Sequence, residues 1–315
     1  MFHSFLEKSV SLLLVLAFCL SFSSCKGKEK SDGMTTGDES EITTGDELDF
    51  VSLDNVAYGD DEKQKFDIVM PKKNGGGAVI VMIHGGAWTD GGKDEFGNMM
   101  YDFYEAGITF ASINYRFASD DVSMDEILDD VTAALKKIKE TAKDNGIELK
   151  NAMLGGISAG GQTALLYAYS KRDDSPIDVK CCLGMSAVSD MTDESLWFGN
   201  ALDSLMTSRK MADIAADLCK FEFDKTNFEN AIPYLKAISP LNYANNAVPT
   251  ILAHGQADDI IKYDIAVRMY NALTENGIEC DFVDFPHSGH SLESDDVSKI
   301  NLNRLISEYC DKYLK

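Results

Sequence analysis

A serine hydroxyl attacks a carbonyl carbon only with help. It needs a base to accept its proton, a carboxylate to orient that base, and N–H donors for the oxyanion. The sequence holds residues of each kind. Ser158 lies in GGISAGGQTA (Gly155 to Ala164), with Gly156 and Gly160 two residues away on either side. The stretch HGGAW (His84 to Trp88) offers glycines whose backbone N–H groups are free to face a carbonyl oxygen. Of the five histidines (His3, His84, His254, His287 and His290), the last two fall together in FPHSGHSL. His290, in a Gly-His loop where the backbone can turn the imidazole, is the first choice for a base, and His287 the second. Asp258 and Asp259, in HGQADDIIKY, lie between Ser158 and these histidines, giving the chain order Ser, Asp, His. Asp258 has the better position; Asp259 is expected to face solvent or to sit at a helix N-terminus.

Such residues act together only if strand ends deliver them to one place. KQKFDIVMP (Lys63 to Pro71), GAVIVMIHGG (Gly77 to Gly86) and ITFASINY (Ile108 to Tyr115) read as strands, the second almost continuously apolar. In SMDEILDDVTAALKKIKETAKDNG, Ile127, Val131, Leu135 and Ile138 recur at helical spacing. Ser123 with Glu126 three residues later has the spacing of a capping box there, and Gly146 marks the expected stop. NAMLGGIS reads as a strand and AGGQTALLYAYS as a helix. Ser158 therefore falls on a strand-to-helix turn, which needs small residues on both sides. The helix would point its positive end at an oxyanion beside Ser158. VKCCLGMSA (Val179 to Ala187), TILAHG (Thr250 to Gly255) and ECDFVDFP (Glu279 to Pro286) complete the strands, and VSKINLNRLISEYCDKYL the last helix. This alternation predicts an α/β fold with a mainly parallel central sheet and helices on both faces. From about 190 to 248 the alternation lapses into a mixture of Met, Leu, Phe and Trp with charges. A helical cap insertion over the strand ends is expected there, where ligands of such folds bind.

From about Val79 to Leu292 the sequence resembles the α/β-hydrolase superfamily. Within it the chain is similar to the esterase/lipase group in HGGAW, NYR (Asn114 to Arg116), GGISAGG and HGQAD. The resemblance implies an α/β-hydrolase fold with Ser158 as nucleophile, Asp258 as acid and His290 as base. It also implies that Gly86, Ala87 and Ala159 supply the oxyanion-hole N–H groups. Ala87 stands where lipases have the third glycine of HGGG, a change that keeps the N–H. The implied reaction is hydrolysis of carboxylic esters, short-chain or carbohydrate-linked, through an acyl-enzyme. An arylformamidase of the kynurenine formamidase type has the same HGG-x-W motif and needs the same triad, so formamide hydrolysis stands as the alternative. A non-catalytic surface-binding lipoprotein of this fold would lack a triad member, and none is missing. Trp88 is expected to line the acyl pocket or to pack beneath its loop.

The first 25 residues read as a targeting segment. The apolar run SLLLVLAFCLSF (Ser11 to Phe22) is short for a membrane span and leads through Ser23 and Ser24 to Cys25 and polar KGKEK. This resembles a bacterial lipoprotein signal with the lipid attached at Cys25, an ordinary secretory signal being the alternative. Either way the chain is expected to be exported, and in the first case held at the cell envelope by a lipid anchor. Residues 26–48, with TTGDE twice, have little to bury and read as an acidic tether. Residues 49–315 would form the hydrolase domain. A chain of 315 residues, 44% hydrophobic, suits one large domain or two small ones, and a formal net charge of −23 weighs against nucleic-acid binding. The cysteines after Cys25 show no CxxC or His/Cys metal spacing, so no metal or cofactor is expected. Adjacent Cys181 and Cys182 read as buried free thiols. The sequence carries no indication of oligomeric state.

Overall fold

Strands that are apolar on both sides need cover on both faces, and this sheet has it. The computed structural model describes residues 50–72, 77–97, 99–104, 106–198, 210–221 and 226–315. Its strands are β1 (Phe50–Ala57), β2 (Lys65–Pro71), β3 (Ala78–Ile83), β4 (Thr109–Ile113), β5 (Asn151–Ile157), β6 (Asp178–Met185), β7 (Thr250–Gly255) and β8 (Cys280–Phe285). They form one sheet in the order β1-β2-β4-β3-β5-β6-β7-β8. β2 runs antiparallel to both of its neighbours, and every other pairing is parallel.

The described helices are α1 (Met99–Tyr104), α2 (Met124–Asp144), α3 (Ala159–Ser170), α4 (Glu194–Phe198), α5 (Met211–Cys219), α6 (Phe228–Ala237), α7 (Tyr263–Glu275) and α8 (Asp296–Tyr309). Side chains alternate across the sheet and so build two cores. Val79, Val81 and Ile83 of β3 pack with apolar residues of α2, α3 and α7, while Ala78, Ile80 and Met82 pack with those of α1 and α8. The capping box expected at α2 is present: Ser123 N–H donates to Glu126 Oε2 at 2.7 Å. Cys181 and Cys182 are buried free thiols on opposite faces of β6.

β1 lies outside the sequence expectation. Its apolar residues Val51, Leu53 and Val56 lose the period of two at a register shift between Leu53 and Val56, where Asn55 takes φ 56°. The bulge hides the strand pattern and leaves β1 at the sheet edge.

Between β6 and β7 the described elements are helices: α4, α5, α6 and a short 3-10 stretch at Pro240–Asn246. The outgoing and returning segments are joined near the sheet. Leu241 N–H donates to Ser189 O at 2.9 Å and Met191 N–H to Ser239 Oγ at 2.9 Å. Arg268 of α7 adds contacts to Asp190 (3.1 Å) and Asp193 (2.8 Å). Among the described residues no helix is long and apolar enough to cross a membrane. The signal segment, Cys25 and the tether lie outside the described residues.

Candidate active site

β5 ends at Ile157 and α3 begins at Ala159, so Ser158 makes the turn by itself, at φ 55° and ψ −122°. A non-glycine residue held there costs about 1–3 kcal/mol and persists only where its surroundings over-determine it. They do so here. Ser158 N–H donates to Met185 O, the end of β6, at 2.8 Å. A Cβ on Gly160 would overlap the Ile83 carbonyl, and one on Gly156 would overlap the Gly160 backbone. The end of β3, the turn and the first turn of α3 therefore meet backbone to backbone, with the positive end of α3 at Ser158.

The loop after β3 turns just as sharply. Gly86, Ala87 and Trp88 have φ of 100°, 49° and 59°, and Thr89 and Asp90 N–H both donate back to Gly86 O at 3.0 Å. Trp88 then enters the core, where its Nε1–H donates to Gln162 Oε1 of α3 at 3.1 Å. Among the described residues, the N–H groups of Gly86, Ala87 and Ala159 donate to no protein acceptor. Upstream, Gly85 N–H donates to Glu95 Oε2 at 2.9 Å.

The loop after β7 carries Asp258. Asp258 Oδ1 accepts the N–H groups of Ile260 and Ile261, both at 2.9 Å. Its Oδ2 accepts the Nδ1–H of His290 at 2.8 Å and lies 3.1 Å from His254 Nε2. Burial acts to raise the Asp258 pKa, but the His254, His290 and Ile261 contacts outweigh it and hold the carboxyl well below the usual range. The His290 side chain, 19% exposed, thus leaves Nε2 for other partners. Its main chain is tied to the sheet, because Ser186 Oγ donates to His290 O at 2.8 Å. Ser186 directly follows Met185, the residue bonded to Ser158, so the β6 end links the loops of Ser158 and His290. In this resting arrangement Ser158 Oγ makes no hydrogen bond to His290, a contact that often tightens only with substrate.

The second-choice histidine is elsewhere. His287 is 82% exposed and pairs with Asp295 at 2.8 Å. Asp259 is exposed. Three residues that sequence reasoning did not single out belong to the site: Glu95, Ser186 and the buried His254, whose Nε2–H donates to Ile261 O at 2.8 Å.

A narrow apolar recess opens beside Ser158, walled by Trp88, Val188, Leu196, Trp197, Met211 and Ile261. Trp88 therefore does both things expected of it, lining the recess and packing against α3. Among the described residues no cluster of His, Cys, Asp or Glu is arranged to hold a metal ion.

Residues 66–273 match the BD-FAE family model. The chain belongs to the BD-FAE family. This BD-FAE chain is an esterase-like α/β-hydrolase, and its sheet has the strand order of that fold. A truncated carbohydrate esterase from gut microbiota superposes on it with a TM-score of 0.65 at 19% identity, over 82% of this chain and 95% of the other. Esterase B of Lactobacillus rhamnosis (HN001) gives 0.64 at 18% identity, over 82% and 85%. A thermophilic esterase of Thermogutta terrifontis gives 0.61 at 18%, over 82% and 93%. At these identities the likeness is one of fold. A stretch of 79 residues is 34% identical to the uncharacterized peptidase YuxL of Bacillus subtilis (strain 168), over 24% of this chain and 12% of YuxL.

Proposed function

We propose that the protein hydrolyses carboxylic esters with short acyl groups, including glycan-linked ones, through an acyl-enzyme on Ser158. The observation that carries this reading is the strained Ser158 turn opening on an apolar recess, with the Asp258–His290 pair moored to the same β6 end. Ser158 Oγ attacks the carbonyl carbon as His290 Nε2 takes its proton. Asp258 holds the Nδ1–H and balances the imidazolium. The N–H groups of Gly86, Ala87 and Ala159 receive the oxyanion. His290 returns the proton to the departing alcohol, and water, activated the same way, releases the acid. The narrowness of the recess between two tryptophans and Leu196 supports a short acyl group over a long one. The carbohydrate-linked part of the reading draws support from the carbohydrate esterase that shares the fold.

Fluorophosphonate labelling of the wild type and Ser158→Ala, followed by a panel of p-nitrophenyl esters, acetylated oligosaccharides and N-formylkynurenine, tests the reading. Labelling is expected on Ser158 alone. Ester turnover should fall by several orders of magnitude in Ser158→Ala, whose fold is retained, because a triad fails as a unit. Wild-type turnover in that variant would end the proposal, and preferential hydrolysis of N-formylkynurenine would replace ester by formamide. We also propose that residues 1–25 are a lipoprotein signal and that Cys25 bears the lipid at the cell envelope. An intact mass of membrane-extracted protein without acyl groups on Cys25 would refute this.

A further inference from the structure

Sequence motifs point to Asp258 as the carboxylate of the site, but a second carboxylate is bonded to the glycine loop beside Ser158. Glu95 lies on the short 3-10 turn Lys93–Phe96, just after the glycine loop. That turn is held rigidly. The Lys93 ammonium is buried against Asp67 at 2.7 Å, Lys93 N–H donates to Asn114 Oδ1 at 2.6 Å, and Ser112 Oγ donates to Lys93 O at 2.7 Å. Phe96 anchors the other end in the core. From this turn Glu95 reaches back to the Gly85 N–H at 2.9 Å. The opposite side of the same residue is held too, since Gly85 O takes the His84 Nδ1–H at 2.7 Å.

Gly85 is the residue through which the loop touches the nucleophile. A Cβ built on it would sit 3.3 Å from Ile157 O and 3.4 Å from Ser158 Cβ. The next two residues are Gly86 and Ala87, with their unengaged N–H groups. A shift at Gly85 would therefore move those N–H groups relative to Ser158. Glu95 also lies within electrostatic reach of His290. Burial raises its pKa, while the Gly85 N–H and His290 both act in the opposite sense. A neutral acceptor would satisfy Gly85 equally well; a half-buried carboxylate has a desolvation penalty that a nearby positive charge helps to offset. His290 acquires that charge during the reaction.

We propose that Glu95 is a positioning residue of the catalytic centre: it fixes the oxyanion loop against Ser158 through the Gly85 N–H and adds its negative charge to that of Asp258 in support of the imidazolium form of His290. The proposal rests on the serine-hydrolase reading above. Asp258 bonds His290 directly and also contacts His254, near the end of β7, while Glu95 acts on His290 electrostatically. Glu95 in turn faces His290 and the buried Tyr115 hydroxyl beyond β4, with His84 stacked on Tyr115 across Gly85 and Lys93 and Asp94 on its own turn.

The test compares wild type, Glu95→Gln and Glu95→Ala in the full chain by Tm, by kcat and KM on p-nitrophenyl acetate over a range of pH, and by the rate of fluorophosphonate labelling. Glu95→Ala should lower kcat and the labelling rate about 10- to 100-fold, the scale of a small misplacement of catalytic groups, with KM nearly unchanged. Glu95→Gln still offers an oxygen to the Gly85 N–H and should recover most of kcat at alkaline pH. Having lost the charge, it should move the acid limb of kcat/KM to lower pH. Wild-type kcat in Glu95→Ala, a loss confined to KM, or a Glu95→Gln variant with an unmoved acid limb would each overturn the proposal. Should Glu95→Ala not fold, the pH limb and labelling rate of Glu95→Gln decide. The labelling rates need no ester, so a wild type that labels but cleaves no ester would refute the esterase reading and leave this test standing.

Discussion

Asp258 and Asp259 are neighbours in sequence and opposites in environment. Asp258 is buried under two backbone N–H groups and two imidazoles, whereas Asp259 is exposed. Asp258→Asn should therefore lower kcat by up to about 10⁴-fold, the effect of a mispaired amide in the serine-protease example. Asp259→Asn and His287→Ala should stay near wild type. Comparable losses at Asp258 and Asp259 would contradict this assignment. The same carboxylate affects stability. Its folded pKa is held below the unfolded value of about 3.9, so it favours the folded state above that pH and loses this contribution as pH falls through the folded pKa. A Tm deficit of Asp258→Asn at neutral pH should thus narrow below about pH 4 in thermal scans. Ser158 and Asp258 were legible as candidates because each follows an apolar strand in a small-residue loop, and His290 because it lies in a Gly-His loop after the last strand. Glu95, Ser186 and His254 were not, because their partners (Gly85 N–H, the His290 carbonyl, the Ile261 carbonyl) become neighbours only when strands and loops are assembled.

At the scale of elements, β3 and β5 were legible from apolar runs that end at glycine. β1 was not, because its bulge at Asn55 breaks the alternation that would have announced it. α1, with six residues, is too short for a 3.6-residue period to register. The insertion was legible as an interruption, but the device that docks it was not. Arg268, on α7, gathers Asp190, Asp193 and Asp264 around one guanidinium. At Asp193, burial raises the pKa, yet hydrogen bonds from Ser195 and Arg268 outweigh it and leave the carboxyl below its ordinary value. Arg268→Ala leaves three carboxylates facing one another. It should raise KM severalfold and speed proteolytic cleavage between β6 and β7, with little change in Tm, since a partly exposed ion pair contributes about 0–1 kcal/mol. Added salt should shrink the difference from wild type. A KM and a cleavage rate equal to wild type would show that apolar contacts alone hold the segment.

For the molecule as a whole, a formal charge of −23 opposes compaction. At about 10 mM salt the Debye length is near 30 Å and the repulsion spans the domain; at about 150 mM it is near 8 Å. Tm should therefore rise by about 2–4 °C between those conditions, the shift that roughly 1 kcal/mol produces in a domain of this size. A Tm that falls with salt would mean that local ion pairs outweigh the global field. The closed ends of the segment between β6 and β7 have a different kind of consequence. Ser189 meets Leu241 and Met191 meets Ser239 at the sheet, whatever lies between them. Chain-closure entropy grows only logarithmically, so doubling the intervening length costs about 0.6 kcal/mol. The walls that Leu196, Trp197 and Met211 give the recess thus belong to an exchangeable part. Insertions and deletions there could remodel what the pocket admits while the frame holding Ser158 and His290 stays as it is.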